Sequence, residues 1–277
     1  MTSGLFRRVF YSLRPKVEKA WRSKEVLRAY DAGEYKLPYE VTCAIMAKKG
    51  WWSEEGDLYL VWADLELRVT HDGHRALELL DKARQLGCSE DAYYLTKRGE
   101  ALWAVGNEQQ ALEYFERSAT TSPSLPYLSN FAWALSFVKD PRALDVWKRI
   151  VQESPDNCRA HAYFGLETLR SGDRDEALRR AEEAERLQSS SSDAYEVGLL
   201  YHELNRVETA IGKYEAALEL GYEPKGIPRA AIADCLLALG QESAARESAD
   251  RAIRDTPDDD YVKEIWKRCQ REGESLE

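Results

Sequence analysis

Small and large apolar residues recur along this chain on a long period rather than a short one. An alanine set among apolar and polar residues in helical order appears inside RALELL, QALEYF, RALDVW, EALRRA, TAIGKY and SAARES. These alanines are Ala76, Ala111, Ala143, Ala177, Ala210 and Ala245, spaced by 35, 32, 34, 33 and 35 residues. A second small residue precedes most of them by twelve positions: Gly99, Gly165, Gly198 and Ala233, with Ala132 only eleven before Ala143. Between the two small residues lies a turn signal, VGNEQ, SGDRD, LNRVE or LGQES. Gly106, Gly172, Asn205 and Gly240 in these turns suit the left-handed backbone that ends a helix. Pro123, Pro155 and Pro257 fall where one unit closes, since proline cannot continue a helix. The pattern predicts a repeated helical hairpin in which small residues let two axes approach. Larger residues fill the remaining space: Leu95, Leu102 and Phe115; Phe164 and Leu178; Leu199, Tyr201 and Tyr214. One hairpin cannot bury its own apolar face, so neighbours must stack.

Two units depart from the pattern. Around Ala76 the turn is long, THDGH, and either Ala63 or Asp64 serves as the small residue of the first helix. Around Ala143 the turn carries Asp140-Pro141, with Pro141 suited to the first turn of the second helix. The end of the repeat array reads DDYVKEIWKRCQR, with Val262, Ile265, Trp266 and Cys269 on one stripe. That stripe predicts a capping helix, its amino terminus favoured by Asp258 to Asp260. Before the array, VEKAWRSKEVLRAY and YEVTCAIMAKKG predict two helices separated by Gly33 and Pro38. They read equally as a degenerate hairpin or an irregular cap.

The combined pattern resembles the tetratricopeptide repeat family, built from helix–turn–helix units of about 34 residues. Its best expression is ALWAVGNEQQALEYFERSATTSP, with Gly99, Ala111, Phe115 and Pro123. The resemblance covers residues 57–257 as six units, with 17–56 as the amino-terminal cap or degenerate repeat and 258–277 as capping helix and tail. It implies an all-α fold, a right-handed superhelical solenoid of antiparallel helix pairs whose first helices line a concave groove. The groove positions it implies are Tyr93, Lys97, Glu100 and Trp103 around Gly99, and Asn130, Trp133 and Phe137 around Ala132. Around Gly165 they are Arg159, Tyr163 and Arg170, and around Gly198 they are Tyr195 and His202. Such a groove is aromatic at its middle, where large amphipathic rings concentrate binding energy. It suits a peptide or helix of a protein partner with apolar anchors. Arg159, Arg170 and Lys97 are expected to pair with single acidic side chains on a partner. Relatives that clamp the acidic carboxy-terminal tails of chaperones use Lys and Asn, then Asn, then Lys and Arg. Here those positions are Thr96 and Glu100, then Asn130, then Arg159 and Tyr163, which argues against that clamp.

Composition narrows the function. The chain is 32% charged, with 49 acids against 39 bases and a net charge of −10. An acidic balance argues against nucleic acid as a partner, because phosphate binding needs a basic stripe. No apolar run reaches the ~18–20 residues of a membrane span. Residues 1–16 stand apart: Arg7, Arg8, Arg14 and Lys16 give +4, leaving −14 on the remainder, and Leu5, Phe6, Val9, Phe10 and Leu13 share one helical face. That segment reads as a helix packed on the first repeat, as an arm for a partner or a membrane surface, or as an organelle transit peptide. Cys43, Cys88, Cys158, Cys235 and Cys269 are scattered, which indicates neither a disulfide framework nor a zinc site and suits a reducing cytoplasm. His71 and His74 flank Asp72 without a third ligand, so no metal is expected. No GxGxxG, GxSxG, HExxH or EF-hand pattern occurs, so neither catalysis nor a cofactor is expected. The expected function is a cytoplasmic, non-catalytic scaffold. The alternative is a membrane-peripheral assembly or regulatory factor recruited through residues 1–16, and self-association through the terminal faces stays open.

Overall fold

The computed structural model describes residues 24–47 and 54–274, so the basic segment 1–16 lies outside the described residues. Among the described residues there are fifteen α-helices and no strand. They are α1 Lys24–Asp31, α2 Lys36–Met46, α3 Gly56–Val69, α4 Gly73–Gln85, α5 Ala92–Ala104, α6 Glu108–Thr121 and α7 Leu125–Phe137. There follow α8 Arg142–Glu153, α9 Cys158–Arg170, α10 Arg174–Leu187, α11 Ser191–Glu203, α12 Val207–Glu219, α13 Gly226–Ala238, α14 Glu242–Asp255 and α15 Asp260–Glu274.

The chain divides into two compact units between Val138 and Lys139. In the first, α3 pairs with α4 and α5 with α6, and α7 packs on α6. In the second, α8 packs on α9, and α9 pairs with α10, α11 with α12 and α13 with α14. The division runs through the hairpin expected around Ala132 and Ala143, placing α7 in one unit and α8 in the other.

Local chemistry sets the helix ends. Asp72, Asp91, Asn157 and Asp173 each accept a backbone N–H in the first turn of the helix that follows. Ser190, in the serine run, forms a reciprocal capping box with Asp193. Gly106 turns between α5 and α6 with φ +77°, and Asn205 does the same between α11 and α12 with φ +55°. Where Asp140-Pro141 replaces the glycine turn, Lys139 takes the left-handed place with φ +58°, and Asp140 accepts the Arg142 N–H at 2.9 Å. Pro38 departs from expectation. It is the third residue of α2 and buried, not a spacer between helices; proline fits there because first-turn N–H groups have no intrahelical acceptor.

The repeated small residues are contact points. All six hairpin alanines, Ala76 to Ala245, expose no surface. A Cβ on Gly99 would lie 2.8 Å from the Phe115 ring, and one on Gly198 would lie 2.8 Å from the Tyr214 ring. The two helices therefore sit closer at these points than any larger residue permits. At the carboxy end, Val262, Ile265 and Cys269 of α15 bury against Ala233, Ala245, Ala249 and Ala252. Trp266 Nε1 donates to Asp250 at 2.8 Å, and Asp259 caps the helix through the Val262 N–H. None of the five cysteines is paired in a disulfide.

Candidate functional site

Counting from the residue that caps each first helix fixes the register of its faces. The small residue stands eight positions on in all six: Ala63 after Glu55, Gly99 after Asp91, Ala132 after Ser124, Gly165 after Asn157, Gly198 after Ser190 and Ala233 after Lys225. Ala63 is therefore the small residue of α3. Asp64, one position further, shares the place of Glu100 on α5 and Trp133 on α7.

In the first unit this face carries a buried charge cluster. Lys97 Nζ lies 2.9 Å from Asp64 and 2.7 Å from Glu100. Arg68 Nε donates to Asp64 at 2.8 Å, and the Tyr30 hydroxyl, from α1, donates to its other oxygen at 2.7 Å. Burial alone would push the Asp64 carboxyl up, but Lys97 and Arg68 outweigh it and hold it at about 2. Burial likewise opposes the Lys97 charge, yet Asp64 and Glu100 carry its pKa above the ordinary value. The Tyr93 ring lies 5.3 Å from Lys97 Nζ. Tyr93, Lys97 and Glu100 thus come together, and they are engaged with residues of the chain itself. Thr96 faces the second helix instead, its hydroxyl 2.7 Å from that of Ser118.

Further along the same unit the face turns aromatic. The Trp103 ring stands 4.9 Å from both Trp133 and Phe137, the latter edge-on at 79°, and Trp133 and Phe137 are 5.9 Å apart. Phe115 supports Trp103 from behind at 6.3 Å. Phe137 is 55% exposed, and Trp103, Trp133 and Asn130 are half-buried. Three predicted residues from α5 and α7 therefore form one cluster with an open edge.

The second unit arranges its face differently. Arg159 pairs with the buried Glu196 at 2.8 Å, half of the Arg159 side chain remaining in water. Burial pushes the Glu196 carboxyl up to about 7, and Arg159 only partly offsets it. Tyr163 stacks on the buried Trp147 at 5.0 Å and 13°. Tyr195 packs on Tyr222 at 4.9 Å and on Tyr214 at 5.5 Å. Arg170 is exposed and pairs with Glu167 of its own helix at 2.6 Å, and His202 is half-buried near the end of α11. Lys97, Arg159 and Arg170 all have a carboxylate within the chain. Sequence reasoning missed Tyr30, Arg68 and Tyr222, which reach the faces from outside the first-helix register or by long-range packing. A pocket of about 410 Å³ also opens in this unit, lined by Lys148, Phe164, Thr168, Glu176 and Arg180 among others. None of the predicted residues lines it, and Arg180 is neutralised there by Glu176 at 2.6 Å.

Comparison with known proteins accords with this geometry. The family profile described as tetratricopeptide repeat matches residues 61–126 and 164–223. A comparison with curated proteins gave no match. Among solved structures, a tetratricopeptide repeat protein from Parabacteroides merdae superposes with a TM-score of 0.68 at 16% identity, covering 89% of this chain and 96% of that one. A structure of the APC/C hetero-tetramer Cut9-Hcn1 gives 0.64 at 14% identity over 96% of this chain; this chain spans only 53% of that one. A thermophilic TPR protein from Thermus thermophilus gives 0.57 at 22% identity, covering 65% of this chain and 98% of that one. These matches support a tetratricopeptide repeat protein, with repeats at residues 61–126 and 164–223; such repeats generally mediate protein–protein interaction.

Proposed function

We propose that this protein is a non-catalytic scaffold that binds a peptide or helix of a partner protein through first-helix faces, with the main anchor site at Trp103, Trp133 and Phe137. The cluster with its open edge carries the reading: Phe137 is 55% exposed beside two half-buried tryptophans, and such ring assemblies on a rigid scaffold concentrate binding energy. An apolar side chain of the partner enters between the rings, and Asn130, one turn before Trp133, supplies a polar rim. Arg159, Tyr163, Arg170, Tyr195 and His202 form a separate contact set on the second unit. Five scattered cysteines, none in a disulfide, suit the cytoplasm. The test is to identify a partner by affinity purification and measure its binding calorimetrically. Trp103→Ala with Trp133→Ala is expected to weaken it by a factor of about 30 or more, equivalent to at least about 2 kcal/mol. Unchanged affinity in a folded double variant would sink the reading.

A second reading rests on the basic, amphipathic pattern of residues 1–16: recruitment to an anionic membrane surface. No described helix is long and apolar enough to cross a membrane. Liposome co-sedimentation of the full chain against a chain lacking residues 1–16 tests it. Equal sedimentation rejects recruitment through that segment.

A further inference from the structure

The pocket of about 410 Å³ in the second unit stands apart from the first-helix faces. Second helices α8 and α10 wall it, and α9 is its floor. From α9 it takes Phe164, Thr168 and Ser171. At about 100° per residue these lie roughly 120° around the helix from Arg159, Tyr163 and Arg170. Its apolar lining is Val151 and Phe164, both buried, and the half-buried Leu144.

The polar groups around this lining are unequally committed. Arg180 is spent: its Nε donates to Glu176 at 2.6 Å, its guanidinium lies 5.1 Å from the Phe164 ring, and Nη1 faces His161 Nδ1 at 3.5 Å. His161 Nε2 stands 3.0 Å from the Pro155 carbonyl, which only accepts, so Nε2 carries the proton and Nδ1 is the acceptor that Arg180 meets. Glu176 is spent as well, since Arg179 also donates to it at 2.8 Å. Thr168 Oγ1 donates to the Phe164 carbonyl at 2.6 Å, and Ser171 Oγ to the Thr168 carbonyl at 2.7 Å. Both hydroxyls therefore present only lone pairs to the pocket. Asp173 caps α10 with one oxygen, 3.0 Å from the Glu176 N, and keeps its second oxygen free. Asp145 and Lys148, one turn apart on α8, form no ion pair among the described residues. What remains unsatisfied is thus mostly acceptor: Thr168, Ser171, Asp173 and Asp145. Against them stands Lys148, exposed and free to turn to water; Gln152 serves either way.

We propose that this pocket binds a small primary alkylammonium ion. Its hydrocarbon chain lies on Phe164, Val151 and Leu144. Its ammonium group, which only donates, is received by Thr168, Ser171 and the free oxygen of Asp173. An anion of the same length is disfavoured, because the Arg180 donors are taken and the free oxygens repel it. Amide chemical-shift titration of the isotope-labelled full chain tests this, with n-pentylammonium chloride as probe and hexanoate as its charge-reversed counterpart. The amine should bind with a Kd of about 1 mM, shifting amides of residues lining the pocket. Hexanoate should bind at least about tenfold more weakly. Asp173→Asn keeps the helix cap and should weaken the amine about tenfold, and Thr168→Val about threefold. Lys148→Gln removes a like charge from the mouth and should tighten binding about twofold. No shift at the pocket with tens of millimolar amine overturns the proposal, as does equal binding of hexanoate. So does unchanged affinity in a folded Asp173→Asn variant, or looser binding in Lys148→Gln, which would mean that the ligand needs a cation. A lysine side-chain mimic, Nα-acetyl-lysine methylamide, that binds at least about tenfold tighter than the amine would make the occupant a partner protein's lysine and overturn the assignment to a small ligand.

Discussion

Asp64 in the first unit and Glu196 in the second are both nearly inaccessible on a first helix, yet they titrate in opposite directions. Two cations and a phenol surround Asp64, and its carboxyl is held at about 2 despite burial. Glu196 has one cation, half in water, and burial wins, pushing it up to about 7. The two stand at different register positions of buried first-helix faces, and the number and solvation of the neighbours decide whether a charge is kept there. The aromatic residues divide along the same line. Trp103, Trp133 and Phe137 gather with an open edge in the first unit, whereas in the second Tyr163 lies flat on a fully buried Trp147.

The largest expected effect comes from unbalancing the first cluster. Lys97→Met leaves Asp64 and Glu100 short of a cation inside the protein and should cost about 3–5 kcal/mol in urea unfolding. Arg159→Met should cost about 1 kcal/mol or less at pH 6, because Glu196 can take up a proton and water already screens the pair. Equal losses for the two variants would break the comparison.

Next is the pH dependence. Glu196 has a folded pKa raised from 4.5 to about 7, so its contribution is fully present below pH 4.5 and is lost as pH rises through 7. The wild type should therefore lose about 2 kcal/mol from this group between pH 5 and pH 8, and Glu196→Gln should not. Identical pH slopes would remove Glu196 as the source. Asp64 runs the other way: its folded value is lowered from 3.8 to about 2, so its contribution holds above pH 4 and disappears as pH falls through 2.

Smaller still is Tyr30→Phe, which removes one hydroxyl from a charged acceptor and should cost about 1–2 kcal/mol. The loss should appear as faster exchange in α1 before any change in α5. The smallest stability effect belongs to Phe137→Ala, at under about 1 kcal/mol, since the ring is 55% exposed. Its binding defect should be far larger than that, and calorimetry against a captured partner separates the two quantities.

The hairpin period, the capping helix and the left-handed turns were legible because each depends on residues close in the chain. Asn205 and the Gly106 turn follow from local backbone preference, and the stripe of Val262, Ile265 and Cys269 from helical spacing. The choice between Ala63 and Asp64 was not legible until the cap of α3 set the register at Glu55. That Trp103, Trp133 and Phe137 share a face was implied by the family resemblance; that their rings touch was not. The Asp64 centre was hidden because Tyr30 arrives from a helix before the repeat array, where the repeat pattern assigns no facing position.

Residue order dictates the repeating helical pairs, since close helix approach at Gly99 and Gly198 and helix ends at Gly106 and Asn205 demand particular residues at particular spacings. The state of the faces is set by folding in three dimensions. Whether Lys97 meets solvent or Asp64, and whether Glu196 keeps its charge, depends on which distant side chains exclude water from them. Desolvation and Coulomb attraction act through space and leave no mark on the order of residues along the chain.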